Sequence, residues 1–131
     1  MRAEIVVGKL KSEVEIQLPA SKSISNRVLI INALLSDPAQ INNLSQAADT
    51  QILDRLLKSE LSIYDAGDGG TTARFLLAYS ALKGKPCTIT GSESLQRRPV
   101  APLVDALNEL GAGISYVNNP GCLPVKLSGS K

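Results

Sequence analysis

Two stretches of this chain are apolar on nearly every side of a helix, and nothing else in the sequence restricts the fold as much. Between about Lys22 and Leu35, the residues Ile24, Val28, Leu29, Ile30, Ile31, Ala33, Leu34 and Leu35 circle almost the whole axis. Between about Gly69 and Leu82, Phe75, Leu76, Leu77, Ala78 and Ala81 do the same. A helix that is apolar all round is buried all round, so both are expected inside the molecule. Two further stretches are amphipathic. Over Ala48–Lys58, the residues Ile52, Leu53, Leu56 and Leu57 form one stripe, while Gln51, Asp54, Arg55 and Lys58 face away. The other begins at Pro99, a favoured first helical position. It runs to about Leu110, with Leu103, Val104, Leu107 and Leu110 on one face.

Short apolar runs separate the helices. Alternation and β-branched content predict strands over Glu4–Val7, Val14–Leu18, Gln40–Leu44, Leu61–Tyr64, Pro86–Thr90, Ile114–Val117 and Leu123–Leu127. Gly8–Ser12 turns between the first two strands, Asp37-Pro38 stops the first helix, and Gly84 ends the second buried one. The order hides a repeat. Arg27-Val-Leu-Ile-Ile-Asn aligns with Arg74-Phe-Leu-Leu-Ala-Tyr, Ile52-Leu-Asp-Arg-Leu with Leu103-Val-Asp-Ala-Leu, and Ile63 with Ile114. The unit is about fifty residues: buried helix, strand, amphipathic helix, strand. Any α/β chain aligns with itself to some degree. The matching alternation of buried and amphipathic helices favours the repeat, and the expected class is α/β.

With 131 residues the chain suits one domain or part of a larger one. Aromatic content is 3%, so the core must be mostly Leu, Ile, Val and Ala. Fourteen basic residues against twelve acidic ones, a net charge of +2, are too balanced to argue for nucleic acid or a membrane surface. No apolar run approaches the length of a membrane span. The opening Met-Arg-Ala-Glu-Ile-Val-Val lacks a signal-peptide core, so a cytoplasmic location is expected. The absence of histidine removes Ser-His-Asp triads, Cys-His pairs and His-based zinc sites. Cys87 and Cys122 sit in no metal-ligand spacing and are expected as free, core-facing thiols.

The chemistry gathers where helices begin. Leu18-Pro-Ala-Ser-Lys-Ser-Ile-Ser-Asn-Arg27 opens the first buried helix, with Ser21 placed to cap it. Lys22 and Arg27 add full charges to the partial charge of the helix dipole. Ser23 and Arg27 are spaced i, i+4, so the Arg27 side chain points back over Ser23. An anion site and an ordinary capped helix fit this spacing equally well. Asp65-Ala-Gly-Asp-Gly-Gly-Thr-Thr-Ala-Arg74 opens the second buried helix. If Asp68 caps it as Ser21 caps the first, Arg74 stands where Arg27 stands and Gly70 where Ser23 stands. With no Cβ, Gly70 lets a ligand approach the backbone, and Thr71 and Thr72 add hydroxyl donors. A plain flexible turn fits the same residues. Gln96-Arg-Arg-Pro99 places Arg98 before the last helix, suited to a bidentate carboxylate or phosphate contact. A solvated pair of loop arginines is the commoner use. The Walker and dinucleotide glycine patterns do not fit, because Pro86 follows Gly84-Lys85 and Thr72 stands where a third glycine is needed. Cationic mouths at three helices point to a small, multiply anionic ligand. They supply no general acid or base. Asp49 and Asp68 are the nearest carboxylates, and capping is the commoner task for an Asp there.

Taken together, these motifs resemble the enolpyruvyl transferases, and among them the EPSP synthase family of the shikimate pathway. Leu18–Arg27 looks like that family's N-terminal signature, and Gly67-Asp-Gly-Gly-Thr-Thr-Ala-Arg74 is similar to its glycine-rich loop. Leu95-Gln-Arg-Arg-Pro-Val100 and Leu103-Val-Asp-Ala-Leu-Asn-Glu-Leu-Gly-Ala112 resemble the helix that follows. The UDP-N-acetylglucosamine branch usually carries a Lys-Asn pair at the first motif, so Ser23 and Arg27 favour the shikimate branch. A non-enzymatic anion-binding module of the same ancestry and a UDP-N-acetylglucosamine enolpyruvyl transferase are the alternatives.

The resemblance implies a fold and an activity. The fold is an inside-out α/β barrel of repeated βαβαββ units with buried inner helices. Residues 1–20 would be opening strands of the family's first domain, and residues 21–131 a partial second domain of about two units. The activity is transfer of the enolpyruvyl group of phosphoenolpyruvate to the 5-hydroxyl of shikimate 3-phosphate, with release of phosphate and no metal or organic cofactor. Lys22, Ser23 and Arg27 would hold shikimate 3-phosphate, and Lys22, Gly70 and Arg98 phosphoenolpyruvate, with Asp68, Thr71 and Arg74 alongside. Gly70 falls at the family's glyphosate-contact glycine. Asp68 departs from the family's usual Asn. The residues that transfer protons in the family lie downstream, so the chain is expected to be an inactive N-terminal portion. Without the rest of the enzyme, exposed apolar helix faces would favour self-association.

Overall fold

The computed structural model describes residues 8, 13 and 15–129. Its elements run α1 (Lys22–Leu34), α2 (Ala48–Leu57), β1 (Ile63–Asp65), α3 (Gly70–Lys83), β2 (Cys87–Thr90), α4 (Glu93–Gln96), α5 (Ala101–Glu109), β3 (Ile114–Tyr116) and β4 (Val125–Leu127). The strands form one sheet in the order β1-β2-β4-β3. β1 and β2 are parallel, and α3 supplies the crossover that parallel neighbours need. β4 then inserts antiparallel between β2 and β3.

The sheet has one apolar face. Tyr64, Cys87, Ile89, Ile114, Val125 and Leu127 are buried on it, because side chains alternate along a strand and the registers align these positions. Ser115 and Lys126, on the other face, are exposed. α3 brings Leu76 and Leu77 into the same core, and α5 brings Val104. Each leucine buried this fully contributes roughly 2 kcal/mol. α3 ends at Gly84, whose φ of 61° is the left-handed cap that glycine adopts without strain.

α1 departs from expectation. Its buried residues are Ser25, Asn26 and Leu29. Ile24 is 65% exposed, Ile31 60% and Leu35 50%. A helix predicted to be buried all round thus turns inward a single face, on which two of the three buried residues are polar. The cause is the partner it finds. Asn26 Oδ1 accepts from the Thr50 hydroxyl at 2.8 Å, and Ser25 Oγ accepts from the Ser45 N–H at 3.0 Å. Leu29 and Ile30 pack on the core, whereas Ile24 and Ile31 stay exposed among the described residues. α3 comes closer to the prediction, with Thr72, Ala73, Leu76, Leu77 and Ser80 buried.

Two predicted strands are corrected. Residues 40–44 form none, because side chains of α1 take up the neighbouring backbone: Asn32 bonds both the N–H and the C=O of Ala39, at 2.8 and 3.0 Å. Residues 15–18 are exposed and pair with no strand among the described residues. Val14 and the strand predicted over Glu4–Val7 lie outside the described residues, as do residues 9–12 of the turn. The remaining strands stand within two residues of their predicted bounds. The last helix starts at Ala101 rather than Pro99, with Pro102 in its first turn. The segment before it contains the short α4. Over the described residues the architecture is mixed α/β with a four-stranded sheet.

Candidate functional site at three helix mouths

The first turns of α1, α2 and α3 converge. Lys22 Nζ lies 3.0 Å from Asp49 Oδ2, joining α1 to α2. The Thr72 hydroxyl donates to the Asp49 carbonyl at 3.2 Å, joining α3 to α2. These two polar contacts link the helix ends, beside the core packing of Leu29, Leu53 and Leu76. Both pass through Asp49, which sequence reasoning assigned to capping. The observed cap of α2 is Ala47, with no side-chain bond. Asp49 serves instead as a tether, and its carboxylate sets where the Lys22 ammonium stands.

At the mouth of α1, Ser21 caps as predicted, accepting from the Ile24 N–H at 3.4 Å. Ser23 is exposed. Arg27 reaches back over it, and Nη1 donates to the Ser23 carbonyl at 2.9 Å. The Arg27 guanidinium also stands 5.9 Å from the centroid of the Phe75 ring, a cation–π distance that ties α1 to α3.

At the mouth of α3 the same device recurs. Arg74 Nη1 donates to the Gly70 carbonyl at 3.0 Å, spanning i to i−4 as Arg27 does. Its Nη2 donates to the Pro99 carbonyl at 2.8 Å. A Cβ on Gly70 would stand 3.0 Å from Arg74 Nη1 and 3.6 Å from Arg98 Nη1. Gly70, Arg74 and Arg98 are therefore brought together. Thr71 is exposed at this mouth, whereas Thr72 is fully buried and turned towards α2.

Asp68 is the correction here. The cap of α3 is Gly69, and no side chain caps the helix. A side chain at Gly69 has no room, since its Cβ would meet the Thr72 hydroxyl at 2.9 Å and the Ala66 carbonyl at 3.1 Å. Asp68 accepts instead from the hydroxyl of Ser92, the residue that caps α4. Ser92 is not among the residues that the motifs single out; a serine directly after Gly91 at the end of a strand is the local signal for it.

Chemically, the mouths offer one ammonium, several guanidiniums and an uncapped helix N-terminus, all suited to anions. Lys22, Arg27 and Arg98 are open to solvent. Among the described residues, no group of three or more His, Cys, Asp or Glu is arranged to hold a metal. No helix there is long and apolar enough to cross a membrane.

The family described as EPSP synthase (3-phosphoshikimate 1-carboxyvinyltransferase) matches the chain over residues 6–61 and 52–131. A 3-phosphoshikimate 1-carboxyvinyltransferase of Bacteroides fragilis (strain YCH46) is 48% identical over 114 residues, which cover 87% of this chain and 28% of that protein. A protein of the same name from Methanospirillum hungatei JF-1 is 34% identical over 135 residues, 86% of this chain and 31% of the relative. Pentafunctional AROM polypeptide 2 of Lodderomyces elongisporus is 37% identical over 145 residues, 87% of this chain and 9% of the relative. The chain thus spans less than a third of the Bacteroides and Methanospirillum relatives.

Proposed function

The chain belongs to the EPSP synthase family, and on that premise we propose that its helix mouths form part of the substrate site of an enolpyruvyl transferase. The full enzyme joins the enolpyruvyl group of phosphoenolpyruvate to the 5-hydroxyl of shikimate 3-phosphate and releases phosphate, in aromatic amino acid biosynthesis. The observation that carries this reading is the convergence at Gly70. Because this residue has no side chain, two guanidiniums approach its backbone, with Arg74 Nη1 3.0 Å and Arg98 Nη1 3.6 Å from the Cβ position. Two guanidiniums beside a helix start suit a compact carboxylate or phosphate, and both groups are present in phosphoenolpyruvate.

Each residue then has a task. Ser23 and Arg27 hold shikimate 3-phosphate at the mouth of α1. Lys22, held by Asp49, stands between the two mouths and neutralises both substrates. Gly70 and Arg98 take phosphoenolpyruvate, with Thr71 at the rim. Arg74 acts through the backbone, because both of its bonds go to carbonyls. Fixed cationic groups of this kind stabilise charge without reorganising during the reaction. No proton-transfer residue is assigned to this chain. Residues 1–20 belong with the family's first domain, and residues 21–131 with an inside-out barrel whose further units would cover α1.

Shikimate 3-phosphate titrated into the 15N-labelled chain is expected to shift the Ser23 and Arg27 amides, with UDP-N-acetylglucosamine leaving them in place. Unmoved amides with shikimate 3-phosphate would sink the assignment. The open mouths cannot exclude water, so the 131-residue chain alone is expected to release no phosphate from the two substrates. Turnover in that assay would overturn the view that a second wall is needed.

A further inference from the structure

Asp68 lies on the turn between β1 and α3, and the residues around it form a closed circuit. Its carboxylate accepts from the Ser92 hydroxyl. That hydroxyl accepts from the Leu95 N–H at 3.2 Å, and the Ser92 N–H donates to the Gly67 carbonyl at 2.9 Å. The Leu95 carbonyl accepts from the Arg98 N–H at 3.0 Å. The circuit closes at Gly70, whose Cβ position is 3.7 Å from Leu95 Cδ1 and 3.6 Å from Arg98 Nη1. The two loops are pressed together at Gly91, where a Cβ would lie 2.6 Å from the Gly67 carbonyl oxygen.

We propose that Asp68 is a positioning residue for Arg98: by holding Ser92 it fixes the 92–98 segment against the start of α3 and so sets the guanidinium over Gly70. This rests on the reading of the Gly70–Arg98 convergence as an anion site. It also accounts for a carboxylate beside such a site. A free carboxylate there would only repel an anion, whereas one engaged by Ser92 orients the group that attracts it.

Three variants of the 131-residue chain separate orientation from charge: Asp68→Asn, Asp68→Ala and Ser92→Ala. An amide oxygen at position 68 still accepts from Ser92, so Asp68→Asn keeps the circuit and removes the charge. Without ligand, the nuclear Overhauser effect between the Gly70 α-protons and the Arg98 side chain is expected in the parent and in Asp68→Asn. It is lost in Asp68→Ala and in Ser92→Ala, which break the same bond from opposite ends. With inorganic phosphate as probe, Asp68→Asn binds more tightly than the parent. Asp68→Ala binds about fivefold more weakly than the parent, as expected for loss of a charge-assisted bond that is partly solvated. The proposal is overturned if the Overhauser effect survives in both alanine variants, or if Asp68→Ala and Asp68→Asn tighten phosphate binding alike. A parent chain that shows the effect but binds no phosphate contradicts the anion-site reading, and the ligand-free series still decides the role of Asp68.

Discussion

At position 70 the difference between glycine and alanine is one methyl group 3.0 Å from Arg74 Nη1. That nitrogen ends a flexible side chain, so the guanidinium gives way before the backbone does. Gly70→Ala is expected to change stability in urea by less than about 0.5 kcal/mol. It should weaken the amide shifts that phosphoenolpyruvate induces at Gly70 and Arg98; unchanged shifts would count against the convergence as a site. Cys87 offers a test away from the site. Burial pushes its thiol above the ordinary value of 9.0, against smaller lowering effects from Ser80 and Lys85. Its folded pKa is raised, so the stability it contributes is complete below the unfolded value and is lost as pH rises through the folded one. Stability should fall above about pH 9, and Cys87→Ala should flatten that fall. Iodoacetamide should label the half-buried Cys122 before the buried Cys87. Equal labelling rates would contradict the burial. The residues carrying charge were legible in the motifs, and Lys22, Arg27, Gly70, Arg74 and Arg98 all stand at helix mouths. Their tethers were not. Asp49, Asp68 and Ser92 act on partners 27, 24 and 24 positions away along the chain, beyond the reach of local capping rules.

At the scale of elements, α1 is attached through the buried polar contacts of Ser25 and Asn26 as well as through Leu29. Thr50→Val removes the donor to buried Asn26 Oδ1 and is expected to cost about 1–2 kcal/mol in urea denaturation. A neutral result would mean that α1 is held by other contacts. Helix bounds were readable to within about two residues, because Ser21 and Gly84 are local signals acting on their own turns. Strand existence was less so. The segment near residue 40 has an apolar pattern without a ladder, since a strand exists only where another strand pairs with it. No partner stands there among the described residues, and Asn32 supplies bonds instead.

For the molecule as a whole, the exposed Ile24, Ile31 and Leu35 leave an apolar surface on α1 that water disfavours. The chain is expected to self-associate as its concentration rises, and Ile31→Glu should restore the monomer mass of 13.8 kDa in light scattering. A clean monomer of the parent at high concentration would overturn this.

The sequence by itself determined the α/β class, the helix bounds, the cationic mouths and the family, because each is written in local spacing or in a continuous motif. Only the tertiary structure decided which side of α1 turns inward and which bonds hold Lys22 and Arg98. Those choices depend on which surfaces meet. An apolar count records that a helix can be buried on every side, but burial needs a neighbour on each side. Among the described residues, α1 is buried on the face of Ser25, Asn26 and Leu29.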